Sequence, residues 1–153
     1  MKKLSVGLAA LAFLIAPHVA MAQDAADGPP ATGMVTMSSF KVPMGEDRGK
    51  VMEWIERWVA PQERNNPNVL AFYVLGHNYG ADSRDIVIVR VYKDWASIEA
   101  PCGEPCSTWS EANWPEEDTP EHEEMMDLVQ TYMKYYGRHS DEIYTARLDL
   151  AKN

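Results

Sequence analysis

The sequence has 153 residues, of which 14 are basic and 23 acidic, and its formal net charge at pH 7 is −9. A chain with this acidic balance and no basic stripe repels phosphate backbones, so we expect no nucleic-acid partner. The first 22 residues carry two lysines and no acid, so the remainder keeps 12 basic and 23 acidic residues and a net charge of −11. The 131 residues that remain are enough for one domain with its own core.

The N-terminus has the three parts of a secretory signal peptide in their usual order. Lys2 and Lys3 precede an apolar run over residues 4–17, and the small-residue sequence Ala20-Met21-Ala22 follows. The run is shorter than the roughly 18 residues that cross a bilayer, which argues against a retained anchor. We therefore predict a signal peptide over residues 1–22, cleavage near Ala22, a periplasmic or secreted bacterial protein, and no membrane insertion after cleavage.

Residues 23–33 are small, polar and rich in proline and glycine. This composition buries too little apolar surface to offset the entropy of ordering the chain. We predict a flexible leader over 23–33, followed by a single domain over 34–150.

The domain alternates β-type and helical patterns. Strands are indicated where β-branched and aromatic residues run between turn formers, and helices where apolar residues recur at helical spacing behind a capping residue. The predicted elements are strand 34–42, a helix capped by Asp47 and ending between 61 and 66, strands 69–79 and 85–93, a short helix from Asp94 to 100, a helix from Thr119 to Gly137, and strand 142–150. A Pro- and Trp-rich insertion, 101–119, separates the last two helices.

This order predicts an α+β fold of the ferredoxin-like βαββαβ type, in which helices cover one face of an antiparallel sheet. Both alternating sets of side chains in the hairpin over 69–93 are apolar. Helices shelter only one of these sets, so the other needs a different cover. We expect a homodimer in which two sheets pack together.

The arrangement resembles the dimeric α+β barrel proteins, and within them the antibiotic-biosynthesis-monooxygenase-like group, over residues 34–150. The residues that carry the resemblance are Lys41-Val42-Pro43, Asn66-Pro67-Asn68-Val69-Leu70, Val91-Tyr92 and Asp94-Trp95-Ala96-Ser97-Ile98-Glu99-Ala100. The resemblance implies two sheets packed face to face and a pocket in each subunit between sheet and helices. Members of this group include cofactor-independent oxygenases of aromatic polyketides, haem-degrading enzymes and proteins of unassigned role, so the resemblance implies fold more strongly than reaction.

Two cysteines, Cys102 and Cys106, lie in the sequence Cys-Gly-Glu-Pro-Cys within the insertion. An oxidising compartment favours a disulfide between such close neighbours, and Gly103 and Pro105 let the chain turn between them. A metal site needs more ligands nearby, and a thioredoxin-type redox site has two intervening residues rather than three. We predict a structural disulfide, with the metal and redox alternatives left open.

Histidine is the most frequent general base near neutral pH, which makes His77 and His139 the candidate catalytic residues. His77 follows Tyr73 at a strand spacing that puts both on one face. His139 lies in a polar stretch between the last helix and the last strand, which fits either a pocket mouth or a hydrophilic loop. A histidine hydrogen-bonded at the dimer rim is the structural alternative for His77.

Arg90 interrupts the most apolar strand of the chain. A buried guanidinium needs a carboxylate partner, from the protein or from a ligand. Within the protein we expect Asp141 or Glu142. For a ligand, we predict a cavity that Arg90, Tyr73 and His77 reach from adjacent strands, with His139 at its edge.

Trp109 and Trp114 lie in the insertion, which has little core of its own. We predict that they fold back over the sheet and helices and enclose the pocket. The dispersed histidines and scattered methionines lack the spacing of a metal site, and no phosphate loop or other cofactor signature is present. We therefore expect no metal and no cofactor.

Two functions are consistent with these sequence features. The first is an exported protein that handles a small apolar or aromatic molecule in an enclosed pocket, with chemistry like that of a cofactor-independent oxygenase. The second is a non-catalytic binding or interaction module of the same fold. A cavity reached by His77 or Arg90 would favour the first, and a packed interior the second.

Overall fold

The computed structural model describes residues 31–77 and 82–150, and the predicted signal peptide and cleavage site lie outside these ranges. The elements are β1 (Thr32–Lys41), α1 (Glu46–Trp54), a π-helical turn (Ile55–Val59), α2 (Ala60–Asn65), β2 (Val69–Gly76), β3 (Asp85–Tyr92), α3 (Trp95–Glu99), α4 (Glu104–Asn113), α5 (Pro120–Tyr136), β4 (Ser140–Arg147) and a 3-10 turn (Leu148–Leu150). No helix of these residues combines the length and apolarity that a membrane span requires.

The four strands form one sheet in the order β2-β3-β1-β4. Each neighbouring pair is antiparallel, and β3 lies between β1 and β2, which the first helical segment connects. This is the ferredoxin-like arrangement, so the predicted fold class is confirmed. The strand ends differ slightly from expectation: β1 begins at Thr32, inside the predicted leader, and β4 runs from Ser140 to Arg147.

The first helical segment is continuous from α1 to α2 through the π-helical turn. Pro61 stands in α2 without an N–H to donate to the preceding turn, and the wider turn before it fits this missing hydrogen bond. Asp47 is not the cap that we predicted, because Gly45 holds the N-cap position with φ at 134°. Asp47 instead accepts hydrogen bonds from Lys134 and Tyr135 of α5, which lowers the pKa of its carboxyl group.

The two caps predicted for the later helices are confirmed. Asp94 accepts a hydrogen bond from the Ser97 backbone N–H, and Thr119 accepts one from that of His122. The inward stripe of α5 is Met125, Leu128 and Tyr132, whereas Met133 is 53% exposed.

The core lies between the helices and one face of the sheet. Its sheet residues include Phe40, Ile86 and Ile88, and its helical residues are Val51, Trp54, Ile55, Val59, Met125, Leu128 and Tyr132. Phe40 packs edge-on against the rings of Tyr132 and Tyr136, at 5.9 and 5.4 Å between centroids. We call the covered side of the sheet the helix side.

The opposite side of the sheet, which we call the open face, is also apolar. The strand register puts the following residues on it: Val35, Met37, Ala71, Tyr73, Leu75, Val87, Val89, Val91 and Tyr144. None of these residues is buried, although β1 and β3 are the central strands of the sheet, and Tyr73, Leu75 and Tyr144 are each about half exposed. The described helices leave this apolar surface uncovered.

The insertion contains the helix α4. Cys102 and Cys106 are joined as a disulfide at its start, with their Cα atoms 5.8 Å apart. Cys106 is buried, with its sulfur near the backbone oxygen of Gln62 in α2. The disulfide thus fixes the beginning of α4 beside the first helical segment.

We expect protein made in an oxidising compartment to carry no free thiol. The closed loop is short, so the chain-entropy estimate of the stabilisation is about 2 kcal/mol or less. Intact mass after alkylation without reductant measures the thiols, and Cys102→Ser/Cys106→Ser reports the stability change in chemical denaturation. Two alkylated cysteines in periplasmic material would contradict the prediction.

Candidate functional site

A largely buried ion pair lies on the helix side of the sheet. The Nε atom of Arg90 is 2.6 Å from Oε1 of Glu63 in α2, and the two side chains are only 16% and 13% exposed. The guanidinium carbon also lies 5.9 Å from the centre of the Phe72 ring. The partner that we expected, Asp141 or Glu142, is wrong, because the helical segment brings Glu63 over β3.

Glu63 keeps the guanidinium of Arg90 protonated despite its burial. Burial lowers the pKa of the guanidinium, but the charge of Glu63 and its hydrogen bond outweigh burial and raise the pKa above its ordinary value. A guanidinium held in this way is a fixed positive group beneath the helices, and part of it remains open to solvent.

Tyrosines surround this pair. Tyr92 of β3 and Tyr132 of α5 are buried, and burial is the largest cause that raises the pKa of both phenols. The nearby charge of Arg90 lowers each pKa by less than burial raises it. The hydroxyl groups therefore remain protonated near neutral pH and can donate hydrogen bonds.

A chain of hydrogen bonds borders the same side. The buried Ser38 hydroxyl donates to Oδ1 of Asp141 over 2.6 Å, and Nε2 of His139 lies 2.9 Å from Oδ2 of the same carboxylate. The other ring nitrogen of His139 is 2.6 Å from the Tyr136 carbonyl oxygen, and its ring stacks on Tyr136 at 4.1 Å. Both ring nitrogens of His139 thus already face protein oxygens.

The ion pair and the hydrogen-bonded chain flank a corner of the sheet that the helices cover incompletely. Thr36 pairs with Arg90 on one side and with Ile143 on the other, and Ile143 is 42% exposed. We call this region the helix-side corner; it comprises Thr36, Ser38, Glu63, Arg90, Tyr136, Asp141 and Ile143. It presents one cation, several hydroxyl groups and apolar side chains.

His77 lies away from this corner. It follows the end of β2, where its Nδ1 atom is 3.7 Å from Oδ2 of Asp85, and Asp85 begins the strand that carries Arg90 five residues later. Five strand residues span about 16 Å. Tyr73 pairs with Val89 on the open face, whereas Arg90 pairs with Phe72 on the helix side. The predicted cavity shared by His77, Tyr73 and Arg90 is therefore wrong.

Trp109 and Trp114 contact the first helical segment rather than the sheet. Their ring centroids lie 4.8 and 4.9 Å from that of Trp58, which itself stacks on Trp54 at 5.6 Å. The insertion folds back over the first helical segment, where Trp58 provides an aromatic surface, as expected for the helices. The two rings do not enclose the predicted cavity of His77, Tyr73 and Arg90, which is itself wrong.

Beyond these predicted residues, the structure shows a polar concavity of about 550 Å³ at the end of β1. Lys41, Arg84, Lys134 and Arg138 contribute cations to its lining. Three of these pair with Asp82, Asp85 or Asp47, which neutralises much of the local charge. Sequence spacing gives no signal for it, since its residues come from three separate parts of the chain. In residues 31–77 and 82–150 no group of three or more His, Cys, Asp or Glu side chains is placed to hold a metal ion.

Solved structures of other proteins resemble this fold, but sequence comparison finds no related family or curated protein. No protein-family model matches the chain, and no curated protein sequence matches it. The fold is ferredoxin-like. It is similar to several solved structures, with sequence identities between 8% and 15% among those compared.

Three of these structures illustrate the similarity. SnoaB, a cofactor-independent oxygenase from Streptomyces nogalater, is 11% identical with a TM-score of 0.41, over 80% of this chain and 96% of that one. The NE2512 protein of unknown function from Nitrosomonas europaea is 11% identical with a TM-score of 0.44, over 80% and 95%. A dimeric ferredoxin-like protein from an uncultured marine organism is 15% identical with a TM-score of 0.43, over 79% and 99%.

Glu63→Gln should destabilise the protein by about 2 to 4 kcal/mol, because it leaves a largely buried guanidinium without its counter-charge. Glu53→Gln is the matched control, since Glu53 pairs with Arg57 in the same helical segment but in an exposed position. Its loss should cost about 0.5 kcal/mol or less. Urea denaturation at neutral pH measures both, and equal losses would contradict the buried pair.

Stability should fall as the pH rises above the ordinary tyrosine pKa of 10.0, because burial raises the folded-state pKa of Tyr132. The contribution is fully present below pH 10.0 and is lost as the pH rises through the folded-state pKa, since the unfolded chain ionises first. Tyr132→Phe should reduce this alkaline loss. Urea denaturation at about pH 9 and about pH 11 measures it, and an unchanged loss in the variant would contradict the assignment.

Proposed function

We propose that the mature chain is an exported homodimer whose helix-side corner binds a small, largely apolar or aromatic molecule. The observation that carries the proposal is the Arg90–Glu63 pair, which stays 16% and 13% exposed beneath the helices instead of being sealed in the core. A ligand that reaches this pair meets a fixed cation, hydroxyl donors and apolar side chains. Such a combination suits an aromatic molecule that carries an oxygen substituent.

The ligand's contacts follow from the residues of the corner. Ile143 supplies apolar surface, and Tyr136 supplies an aromatic ring already held by its stack on His139. Arg90 has donors beyond the Nε–H that it gives to Glu63, because a guanidinium carries five N–H groups. These remaining donors favour a phenolic or carbonyl oxygen on the ligand.

Binding is the function that this geometry supports better than turnover. A general base needs a free acceptor atom directed at the substrate, and both ring nitrogens of His139 are engaged by protein oxygens. Ser38 donates to Asp141 rather than to a histidine, so it is not arranged as an activated nucleophile. An oxygenase-like reaction, with His139 as base, would require the imidazole to leave these partners, and it is the alternative that oxygen consumption would reveal.

Export and dimer formation complete the proposal. The signal-peptide pattern of residues 1–22 supports a periplasmic or secreted location, and the disulfide pairing of Cys102 with Cys106 suits an oxidising compartment. The open face supports the homodimer, because its central residues Val89 and Met37 belong to inner strands and are not buried. A second copy presents the same apolar open face, so packing the two open faces together removes both from water.

Val89→Asp should convert the dimer to a monomer or unfold it, because the substitution puts a charge at the centre of the apolar open face. Met133→Asp is the control, since Met133 is exposed on α5, away from this face. Size-exclusion chromatography with light scattering should give twice the mass of the 131-residue chain for the unmodified protein and for the control. A monodisperse monomer of the unmodified protein at micromolar concentration would contradict the dimer.

1-Naphthol should bind the helix-side corner more tightly than naphthalene, because only the naphthol oxygen accepts hydrogen bonds from Arg90. We expect a preference of about tenfold or more, the usual effect of a hydrogen bond to a charged group. Glu63→Leu/Arg90→Met should abolish the preference while keeping the fold, since replacing both charges leaves none unpaired. Isothermal titration calorimetry measures the affinities.

The control for this experiment is His77→Ala. His77 lies beside Asp85 at the start of β3, away from the helix-side corner, so its loss should leave the preference unchanged. An equal affinity for the two compounds in the unmodified protein would contradict the proposed site. Oxygen consumption during the 1-naphthol titration, measured with an electrode, would replace the binding function with the oxygenase alternative.

A further inference from the structure

The insertion and the first helical segment form a second site, distinct from the helix-side corner. A shallow concavity of about 430 Å³ is lined by Trp58, Ser110, Glu111 and Trp114. We call these four residues the tryptophan corner. The two indole planes meet at 82°, with their centroids 4.9 Å apart, so they form two walls at nearly a right angle.

The walls of the tryptophan corner are held by other parts of the protein. Trp58 stacks on the buried Trp54 at 5.6 Å and meets Trp109 at 4.8 Å, so its ring is fixed on other sides. The Gln62 amide donates to the Ser110 hydroxyl over 3.3 Å and links α4 to the first helical segment. The rings therefore do not have to be ordered when a ligand binds, which lowers the entropic cost of binding.

The charge of the tryptophan corner is negative. Glu111 is exposed in its lining, and among residues 31–77 and 82–150 it forms no ion pair. The chain as a whole carries a net charge of −9, which adds a long-range attraction for cations. Indole faces are themselves electron-rich and attract cations that lie over the ring.

We propose that the tryptophan corner binds a quaternary ammonium group, with the cation against the indole rings of Trp58 and Trp114 and the carboxylate of Glu111 as its counter-charge. A methylated ammonium fits better than the ammonium group of lysine, because the latter is compact and strongly hydrated. One carboxylate without further ligands does not make a metal site. This inference goes beyond the proposed function and does not rest on it.

Choline and its uncharged analogue 3,3-dimethylbutan-1-ol test the inference, since they have the same shape and differ in the charge of one atom. The full mature protein is titrated with each compound at constant ionic strength, and tryptophan fluorescence is recorded. We expect a saturable change with choline and an affinity for the uncharged analogue lower by about 2- to 30-fold, the range of cation–π contacts.

Three variants identify the residues. Glu111→Gln should weaken choline binding by about fivefold or more, whereas Glu117→Gln, in the neighbouring exposed loop outside the lining, should not. Trp114→Ala should abolish the signal, and its circular dichroism spectrum must match that of the unmodified protein. Where Trp114→Ala does not fold, the comparison of Glu111→Gln with Glu117→Gln decides.

The quaternary ammonium group can belong to a free molecule or to a lipid headgroup. Co-sedimentation with phosphatidylcholine vesicles that is lost in Glu111→Gln assigns the headgroup, and choline binding without co-sedimentation assigns a free ligand. Equal responses to choline and 3,3-dimethylbutan-1-ol, a change that does not saturate, or equal effects of the two glutamate variants would each overturn the proposal.

Discussion

A four-stranded sheet with helices on one side leaves its second face to be covered by something other than those helices, and here both faces are apolar. The covered face supplies the core through Phe40, Ile86 and Ile88. The open face displays valines on the two central strands, whereas the solvent-facing side of an antiparallel sheet normally carries polar residues. In the proposed homodimer, a second copy covers the open face without changing the helix side. The proposed function thus separates two tasks, assembly on the open face and ligand contact on the helix side.

This division explains why a charged pair can occupy the helix side. Glu63 and Arg90 lie near the end of the first helical segment, where the helices stop short of β4 and Ile143 stays exposed. A buried ion pair generally contributes less to stability than well-packed apolar side chains of similar volume. Its position at the edge of the helical cover, rather than in the sealed core, is the reason for which we propose a role in recognition.

Local signals in the sequence were sufficient for the fold and insufficient for the site. Asp94 and Thr119 were recognisable as caps because a cap is decided within three residues. The partner of Arg90 and the position of His77 depend on strand register and on where a helix crosses the sheet. A register shift between Val69 and Ala71 changes which residues of β2 face the helices. The local sequence does not predict this bulge.

The π-helical turn connects these separate features. Pro61 has no N–H, so a regular α-helix through it would leave one backbone carbonyl of the preceding turn without a hydrogen-bond donor. The wider π-helical turn over Ile55–Val59 accommodates this missing hydrogen bond. The same five residues include Ile55 and Val59, which are buried in the core, and Trp58, which contacts the insertion from the other side. The segment then continues to Glu63, the partner of Arg90. One irregularity therefore sets the relative positions of the core, the helix-side corner and the tryptophan corner, so a change at Pro61 that restores a regular α-helix should disturb both proposed ligand sites together.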